Sequence, residues 1–337
     1  MKKFKHFLLS NNMIIVYIIL AFSVVVAIRE SAFLGVPTLV NLARGSIVTL
    51  CFALCEMLIM IAGGIDVSFP AIACVSMYVP MYLFNNGITA DSGFLFVVIA
   101  VLCGLCFGLF NGFLVSCIKI PSLIATLATS AIASGGLAFL FGVKTFSKMP
   151  TALSKIYNMN LLVYADTATG LSYPLTGLVL VPVLLSVVIA VLLKYTMLGR
   201  GLYALGGNPD AARTVGFPVR RLQFFAYAFS GTVAGIAAVI YVVLMQSCGT
   251  TDLMGREMLV VAACVVGGCS LTGGDGTVSG AVLGTILITL VQNNLNMLGV
   301  DTKWQTFAVG VVLLFGVLLT ALRGKLKKGK WGGRTNA

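Results

Sequence analysis

The sequence predicts an all-α polytopic membrane protein with about ten transmembrane helices and both termini in the cytoplasm. Hydrophobic residues make up 59% of the 337 residues and charged residues 9%, against roughly 25% charged in a soluble domain. The apolar runs are long and continuous, as membrane helices require, and lack the alternation of a membrane barrel. Basic residues lie mainly at the chain ends and between the runs.

Ten apolar runs are the predicted spans. They cover about residues 13–28, 47–63, 65–84, 94–118, 122–142, 176–195, 222–245, 257–271, 276–298 and 304–322. The second and third runs are separated only at Gly63 and Gly64, and the eighth and ninth only at Gly273 and Gly274, so eight spans is the alternative. Residues 29–46 are too short and too mixed to span, and we expect them to lie along the outer interface.

The distribution of basic residues predicts the orientation. With both ends inside, 15 of the 22 lysines and arginines face the cytoplasm and 7 face outside, as the positive-inside rule requires. The net charge of +12 therefore reflects topology and contact with anionic membrane lipid, and no aromatic-interleaved basic patch indicates nucleic acid. The nine cysteines lie nearly all in apolar runs, which argues against a disulfide framework. His6 is the only histidine, and no metal or cofactor is predicted.

The chain is predicted to form a single membrane domain over residues 1–337, with a basic C-terminal tail at 322–337. Glycines recur every four residues inside three runs, a spacing that lets helices approach closely. They are Gly104, Gly108 and Gly112, Gly231 and Gly235, and Gly280 and Gly284. We expect these glycines to pack helices within one bundle rather than to join two copies.

The longest inner connection, residues 196–221, contains the signals of a short helix with its own start and stop. Asn208 is a suitable N-cap, Pro209 suits the first helical position, and Asp210 complements the positive end of the helix dipole. Gly216 can adopt the left-handed conformation that ends a helix. So short a helix is unstable alone, so it must pack against its own bundle or a partner. These signals leave a docking element and a well-capped loop equally open.

Within this connection, residues 199–216 resemble the coupling-helix segment of permease subunits in ribose-type bacterial sugar ABC importers, which reads G-R-x-x-Y-A-x-G-G-N-x-x-A-A-R-x-x-G. Four more segments are similar to that family in the same order. They are 63–68 (G-G-I-D-V-S), 121–127 (P-S-L-I-A-T-L), 267–277 (G-G-C-S-L-T-G-G-D-G-T) and 293–299 (N-N-L-N-M-L-G). Five ordered matches make the resemblance specific.

The resemblance implies a permease subunit, not an enzyme, that translocates a sugar across the bacterial cytoplasmic membrane. Two copies, or this chain and a homologous permease, would pair around a central path. A separate P-loop ATPase, which can be one chain with two ATPase domains, would dock on the coupling helix, and an extracytoplasmic binding protein would deliver the sugar. The chain itself has no G-x-x-x-x-G-K-[ST] motif with which to bind ATP. The implied ATPase-coupling residues are Gly207, Asn208, Pro209, Asp210, Ala211, Ala212, Arg213 and Gly216.

Polar residues inside the apolar runs are the candidates for the translocation path, because such groups are costly in a membrane and usually face the bundle interior or water. The candidates are Asp66, Ser68 and Asn294. For Asp66, a structural role and path lining are equally open. Glu56 is expected to have a polar partner such as Asn41 or Arg44.

Two other functions remain open at this level. An ABC permease for branched-chain amino acids or nucleosides would share the glycine–aspartate break. A secondary transporter driven by protons or sodium would need essential ionisable residues inside the membrane, and it would leave the capped inner helix unexplained.

Overall fold

A computed structural model describes residues 11–165 and 171–299, together with isolated positions between 304 and 314. Most of the described residues are helical. The helices are α1 (Asn11–Arg29), α2 (Val36–Ile61), α3 (Phe69–Asn85), α4 (Gly93–Phe113), α5 (Ser122–Phe141), α6 (Thr151–Tyr157), α7 (Leu180–Tyr195), α8 (Met197–Gly207), α9 (Pro209–Thr214), α10 (Val219–Met245), α11 (Glu257–Val266) and α12 (Val278–Asn294). Short 3-10 segments occupy Ser31–Leu34, Gly177–Val179 and Leu295–Leu298, and a π-helical turn, Leu114–Ile118, follows α4.

Nine of the ten predicted spans correspond to helices among the described residues. Within residues 11–165 and 171–299, six helices are long and apolar enough to cross a membrane, and α3, α11 and α12 are shorter apolar helices. Helix α11 has 10 residues and is therefore about 15 Å long, half the hydrocarbon thickness of a bilayer. The predicted tail, and the tenth span apart from isolated positions, lie outside the described residues.

The prediction that residues 29–46 lie along the outer interface is wrong for most of this segment. Helix α2 begins at Val36 and continues without interruption through Arg44 to Ile61. Pro37 stands at the start of this helix, where its missing N–H would have no intrahelical acceptor. The apolar run that begins at 47 is therefore the later part of a 26-residue helix.

The described part of the chain also contains two small antiparallel β pairs, which the all-α prediction did not include. Strand β1 (Thr145–Phe146) pairs with β4 (Cys248–Gly249), and β2 (Asn160–Ala165) pairs with β3 (Ser172–Thr176). All four strands lie in connections predicted to face outside. The long outer connection thus contains a helix and a hairpin, which sequence analysis did not predict.

Helix α2 lies at the centre of the bundle. Every residue from Ile47 to Ile61 is buried. In the most apolar window of each helix, 83% of residues are buried in α2 and 67% in α10, against 17% in α7 and 11% in α1. The outer helices turn apolar side chains outward, as a lipid-facing periphery requires.

Helices α4 and α10 touch through their backbones. A methyl group on Gly104 would overlap the carbonyl oxygen of Gly231, and one on Gly108 would overlap that of Tyr227. Equivalent contacts between α11 and α12 join Gly280 to Gly267 and Gly284 to Ala263. The prediction that these glycines pack helices within one bundle is confirmed, because a methyl group on any of them would meet a neighbouring element of this chain.

Candidate functional site

Helix α9 begins as the sequence predicts. The Asn208 side chain accepts hydrogen bonds from the backbone N–H groups of Asp210 and Ala211, both at 3.0 Å. Pro209 follows as the first helical residue. Asp210 also lies 3.4 Å from the Arg213 guanidinium, but this pair is exposed and contributes little stability. The start of α9 is therefore fixed mainly by its cap.

The end of α9 is closed by a Schellman motif. Gly216 has a φ of +90°, the left-handed conformation predicted for it. Its N–H donates to the carbonyl of Arg213, and the N–H of Phe217 donates to the carbonyl of Ala212. These are the two bonds that satisfy the last carbonyls of a helix in this motif. Both ends of α9 are thus held by local interactions.

One face of α9 is attached to the bundle and the other is open. Ala212 is 2% exposed and belongs to the main hydrophobic core. Ala211 is exposed, and Val215, the C-cap of α9 four residues later, is 73% exposed. Residues four apart share a helix face. The buried Ala212 therefore fixes α9 to the protein, while Ala211 and Val215 present a small apolar surface.

Sequence analysis missed the preceding helix, α8. Its N-cap is Thr196, whose hydroxyl accepts from the Gly199 N–H at 3.1 Å. Leu202 and Leu205 are buried at helical spacing. A capping threonine before apolar residues three apart is the signal that predicts such a helix. The exposed Gly207, one of the implied coupling residues, is the last residue of α8.

The end of α8 meets two distant segments backbone to backbone. A methyl group on Gly206 would overlap the carbonyl oxygen of Ile61, which also accepts from the Gly274 N–H at 3.0 Å. A methyl group on Gly273 would lie 2.7 Å from the Gly63 Cα. Gly63, Gly273 and Gly274 have φ angles of +84°, +88° and +78°, which side chains rarely tolerate. We call Ile61, Gly63, Gly206, Gly273 and Gly274 the glycine junction.

A side-chain bond reinforces the junction. The hydroxyl of Tyr203, on α8, donates to the carbonyl of Gly276 in the α11–α12 turn at 2.7 Å. Burial raises the pKa of the Tyr203 hydroxyl above its ordinary value, so the group keeps its proton and remains a donor. Helix α8 is therefore tied to this turn by main-chain packing and by a hydrogen bond.

Residues 62–68, here called the α2–α3 connection, are held by buried polar side chains. The Asp66 N–H donates to the Glu56 carboxylate at 3.2 and 3.3 Å. The Asp66 carboxylate accepts from the N–H and hydroxyl of Ser68, at 2.7 and 2.5 Å, and from the Ser230 hydroxyl at 3.2 Å. The N–H groups of Asp66 and Ser68, which make no helical hydrogen bond, thus find acceptors in buried carboxylates.

The predicted partners of Glu56 are wrong. Arg44 and Asn41 lie on the same helix, at least twelve residues or about 18 Å before it along the axis. Glu56 instead holds the N–H of Asp66, ten residues later in the chain. The sequence could not show this contact because it depends on the chain turning back after Ile61.

The same network reaches α4 and α5. The Asn111 amide donates to the Ser68 hydroxyl at 2.8 Å and accepts from the Thr129 hydroxyl at 2.6 Å. The Ser122 hydroxyl accepts from the Ile65 N–H at 3.2 Å. The α2–α3 connection is thus bonded to α4, α5 and α10 at once.

The structure brings two of the three predicted path residues together. Asp66 and Ser68 are hydrogen-bonded and only 1% and 0% exposed. Asn294 is also buried, but it lies at the end of α12, where its neighbour Asn293 packs against Gly45. Gly45 is sixteen residues, or about 24 Å, from the end of α2. Asn294 therefore belongs to a different part of the bundle.

A cavity of about 260 Å³ adjoins the α2–α3 connection. Its lining includes Gly63, Gly64, Ser122, Tyr227 and Arg213. The Tyr227 hydroxyl is buried within this lining, next to Gly64. The connection therefore touches packed backbone at the glycine junction and open space at this cavity.

Residues 38–317 match the family described as "Branched-chain amino acid transport system / permease component". The chain belongs to this permease family. It is 34% identical over 283 residues to "Probable ABC transporter permease protein y4mJ" of Sinorhizobium fredii, covering 83% of this chain and 80% of the relative. It is 30% identical over 301 residues to "Autoinducer 2 import system permease protein LsrC" of Yersinia pestis, covering 89% and 82%. No solved structure matches the chain significantly.

This ABC permease is a multi-pass protein of the bacterial inner membrane, as its family and apolar helices show. Permeases of this family are transport components of importers rather than enzymes. The resemblance to ribose-type ABC permeases is confirmed. The roles of the individual site residues stay predictions.

Proposed function

We propose that this permease works with a separate P-loop ATPase, and that α8 and α9 receive the movement of that ATPase. One observation carries the proposal: α9 is closed at both ends, fixed to the bundle by Ala212 and exposed at Ala211 and Val215. A rigid, attached helix with an exposed apolar face is suited to docking, because little conformational entropy is lost when it binds. The proposed coupling residues are Gly207, Asn208, Pro209, Asp210, Ala211, Ala212, Arg213 and Gly216.

The proposed importer has further partners. Two copies of the chain, or this chain and a homologous permease, enclose the path, and an extracytoplasmic binding protein delivers the substrate. Residues 196–221 are its cytoplasmic coupling segment, and anionic lipid surrounds the single membrane domain. The excess of basic residues on the predicted inner side supports this orientation.

The proposed substrate is a sugar or a sugar-like molecule. Relatives in Yersinia are autoinducer 2 import permeases by name, at 30% identity over 89% of this chain. The loop pattern supports the same class through its resemblance to ribose-type permeases. A lining role for Asp66, Ser68 and Asn294 belongs to another conformation of the importer, because all three are buried here.

The ATPase partnership is tested by purifying the tagged permease from its own membranes in mild detergent and identifying co-purifying chains by mass spectrometry. We expect a stoichiometric chain with a P-loop motif. A permease that purifies only with itself would contradict the proposal and favour a secondary transporter driven by protons or sodium.

The docking face is tested by Val215→Asp, which places a charge on the exposed side of α9. We expect co-purification of the ATPase to be lost while the permease still reaches the membrane at its normal level. Val143→Asp is the matched control, because Val143 is 82% exposed just beyond the end of α5, at the predicted outer side. Retention of the ATPase by Val215→Asp, or equal loss in the control, would refute this docking face.

A further inference from the structure

The glycine junction joins three parts of the permease through their main chains. Gly206 lies in the last turn of α8, the helix that leads into α9, Gly63 lies in the α2–α3 connection, and Gly273 and Gly274 lie in the α11–α12 turn. A side chain at Gly206 would overlap the carbonyl oxygen of Ile61. The approach is therefore as close as two backbones allow.

Such a contact transmits displacement efficiently. Side chains between two elements can change rotamer and absorb a small shift, whereas close-packed backbone has low compressibility. The bond from the Gly274 N–H to the Ile61 carbonyl and that from Tyr203 to Gly276 keep the three segments in register. A shift of the end of α8 must move its neighbours or break these bonds.

The α2–α3 connection has a direction in which to move. Gly63 and Gly64 line the cavity of about 260 Å³, so the connection can shift toward this space without displacing packed side chains. Beyond the cavity, the network of Asp66 and Ser68 connects the moved segment to α4, α5 and α10.

From these contacts we infer that Gly206 and Tyr203 are positioning residues that carry the movement of α9 to the α2–α3 connection. The inference rests on the proposed function, because it takes the ATPase as the source of that movement. It adds the route inside the permease: from α9 to the end of α8, across the glycine junction, and into the polar network around Asp66.

The test compares two helical glycines. Gly206→Ala forces the end of α8 away from Ile61, whereas Gly135→Ala, on α5 and outside the proposed coupling segment, adds a methyl group where nothing lies within 4 Å. The complete importer, with its ATPase and binding protein, is reconstituted in liposomes. Uptake per ATP hydrolysed is then measured with ribose or autoinducer 2, whichever the wild type carries.

For Gly206→Ala we expect normal association with the ATPase but about a tenfold fall in uptake per ATP, a coupling loss of ordinary size. For Gly135→Ala we expect uptake per ATP to stay within about twofold of the wild type, as for surface substitutions in general. An unchanged uptake per ATP in Gly206→Ala, or an equal loss in Gly135→Ala, overturns the inference.

Tyr203→Phe keeps the inference testable if Gly206→Ala does not fold. It removes the bond to Gly276 without adding volume, and we expect uptake per ATP to fall about threefold, the effect of a single hydrogen bond, with the thermal midpoint nearly unchanged. An unchanged ratio would overturn the inference. If the wild-type complex shows no ATP-driven uptake, the proposed function is wrong. If the wild type shows ATP-driven uptake and the junction variants have the same uptake per ATP, only the inference about the glycine junction is wrong.

Discussion

The permease contains two kinds of close glycine contact, and they differ in the backbone that carries them. Between α4 and α10, Gly104, Gly108 and Gly231 lie inside regular helices. At the glycine junction, Gly63 and Gly273 lie in connections and have positive φ angles. Both contacts bring main chains together, but only in the first do both sides of the contact lie inside regular helices; at the junction, Gly206 of α8 meets non-helical connections.

This difference predicts different roles for the two kinds of contact: the first holds helices together and the second allows segments to move. A glycine inside a helix fixes two rods side by side, and a shift there would disturb many bonds together. A glycine between helices joins segments whose dihedral angles can change at modest cost, as hinge positions do. We therefore expect substitutions at the α4–α10 contact to reduce stability, and substitutions at the junction to reduce coupling.

The largest expected effect is on the helix contact. Gly231→Ala places a methyl group against the carbonyl oxygen of Gly104, so α4 and α10 must separate. Overpacking of this kind costs about 3 kcal/mol. We expect a lower thermal midpoint in detergent and less protein in the membrane.

Gly135→Ala on α5 is the matched control for that variant. Nothing lies within 4 Å of a methyl group there, and alanine favours a helix over glycine by about 0.5–1 kcal/mol. We expect a slightly raised midpoint. If Gly231→Ala kept its stability and lost only uptake per ATP, the contrast between the two kinds of contact would be wrong.

The next effect concerns the α2–α3 connection. Glu56→Ala removes the acceptor of the buried Asp66 N–H, and an unsatisfied buried donor costs about 1–3 kcal/mol. We expect a lower thermal midpoint. Glu56→Gln keeps an acceptor oxygen of nearly the same shape and should retain most of the stability. Equal losses in the two variants would show that the hydrogen bond is not the cause.

A smaller effect is expected at the cap of α9. Asn208→Ala removes the acceptor for the N–H groups of Asp210 and Ala211, at a typical cost of about 1 kcal/mol. Because α9 is short and mostly exposed, we expect the global midpoint to stay constant while ATPase binding weakens about fivefold, the equivalent of that cost. Asn208→Asp should restore binding, since aspartate caps equally well. If the affinity of Asn208→Ala for the ATPase were unchanged, the cap would not be required for docking.

The parts that sequence analysis predicted are those set by local chemistry. The cap at Asn208, the left-handed Gly216 and the helix between them depend on residues within one turn of each other. The long apolar runs likewise correspond to helices because the membrane requires internally bonded backbone. The family followed from five ordered motifs and is confirmed.

The parts it could not predict depend on which distant segments meet. Gly63 and Gly273 were visible as breaks between apolar runs, and Gly206 as part of the motif at 199–216, but nothing local shows that they touch. The partner of Glu56 is likewise set by the turn after α2, and the suggested Arg44 was wrong. Asn294 shared polarity with Asp66, yet the fold places it at the end of α12, where the neighbouring Asn293 lies beside Gly45 in the first half of α2.

The central claim is that ATP hydrolysis by a partner chain drives this permease through α8 and α9. The most direct measurement is uptake of ribose and autoinducer 2 by the reconstituted wild-type importer, with and without ATP, after ionophores have collapsed all ion gradients. We predict uptake of at least one of these solutes that requires ATP and survives the ionophores. Uptake that needs no ATP and disappears when a proton or sodium gradient is removed would contradict the account.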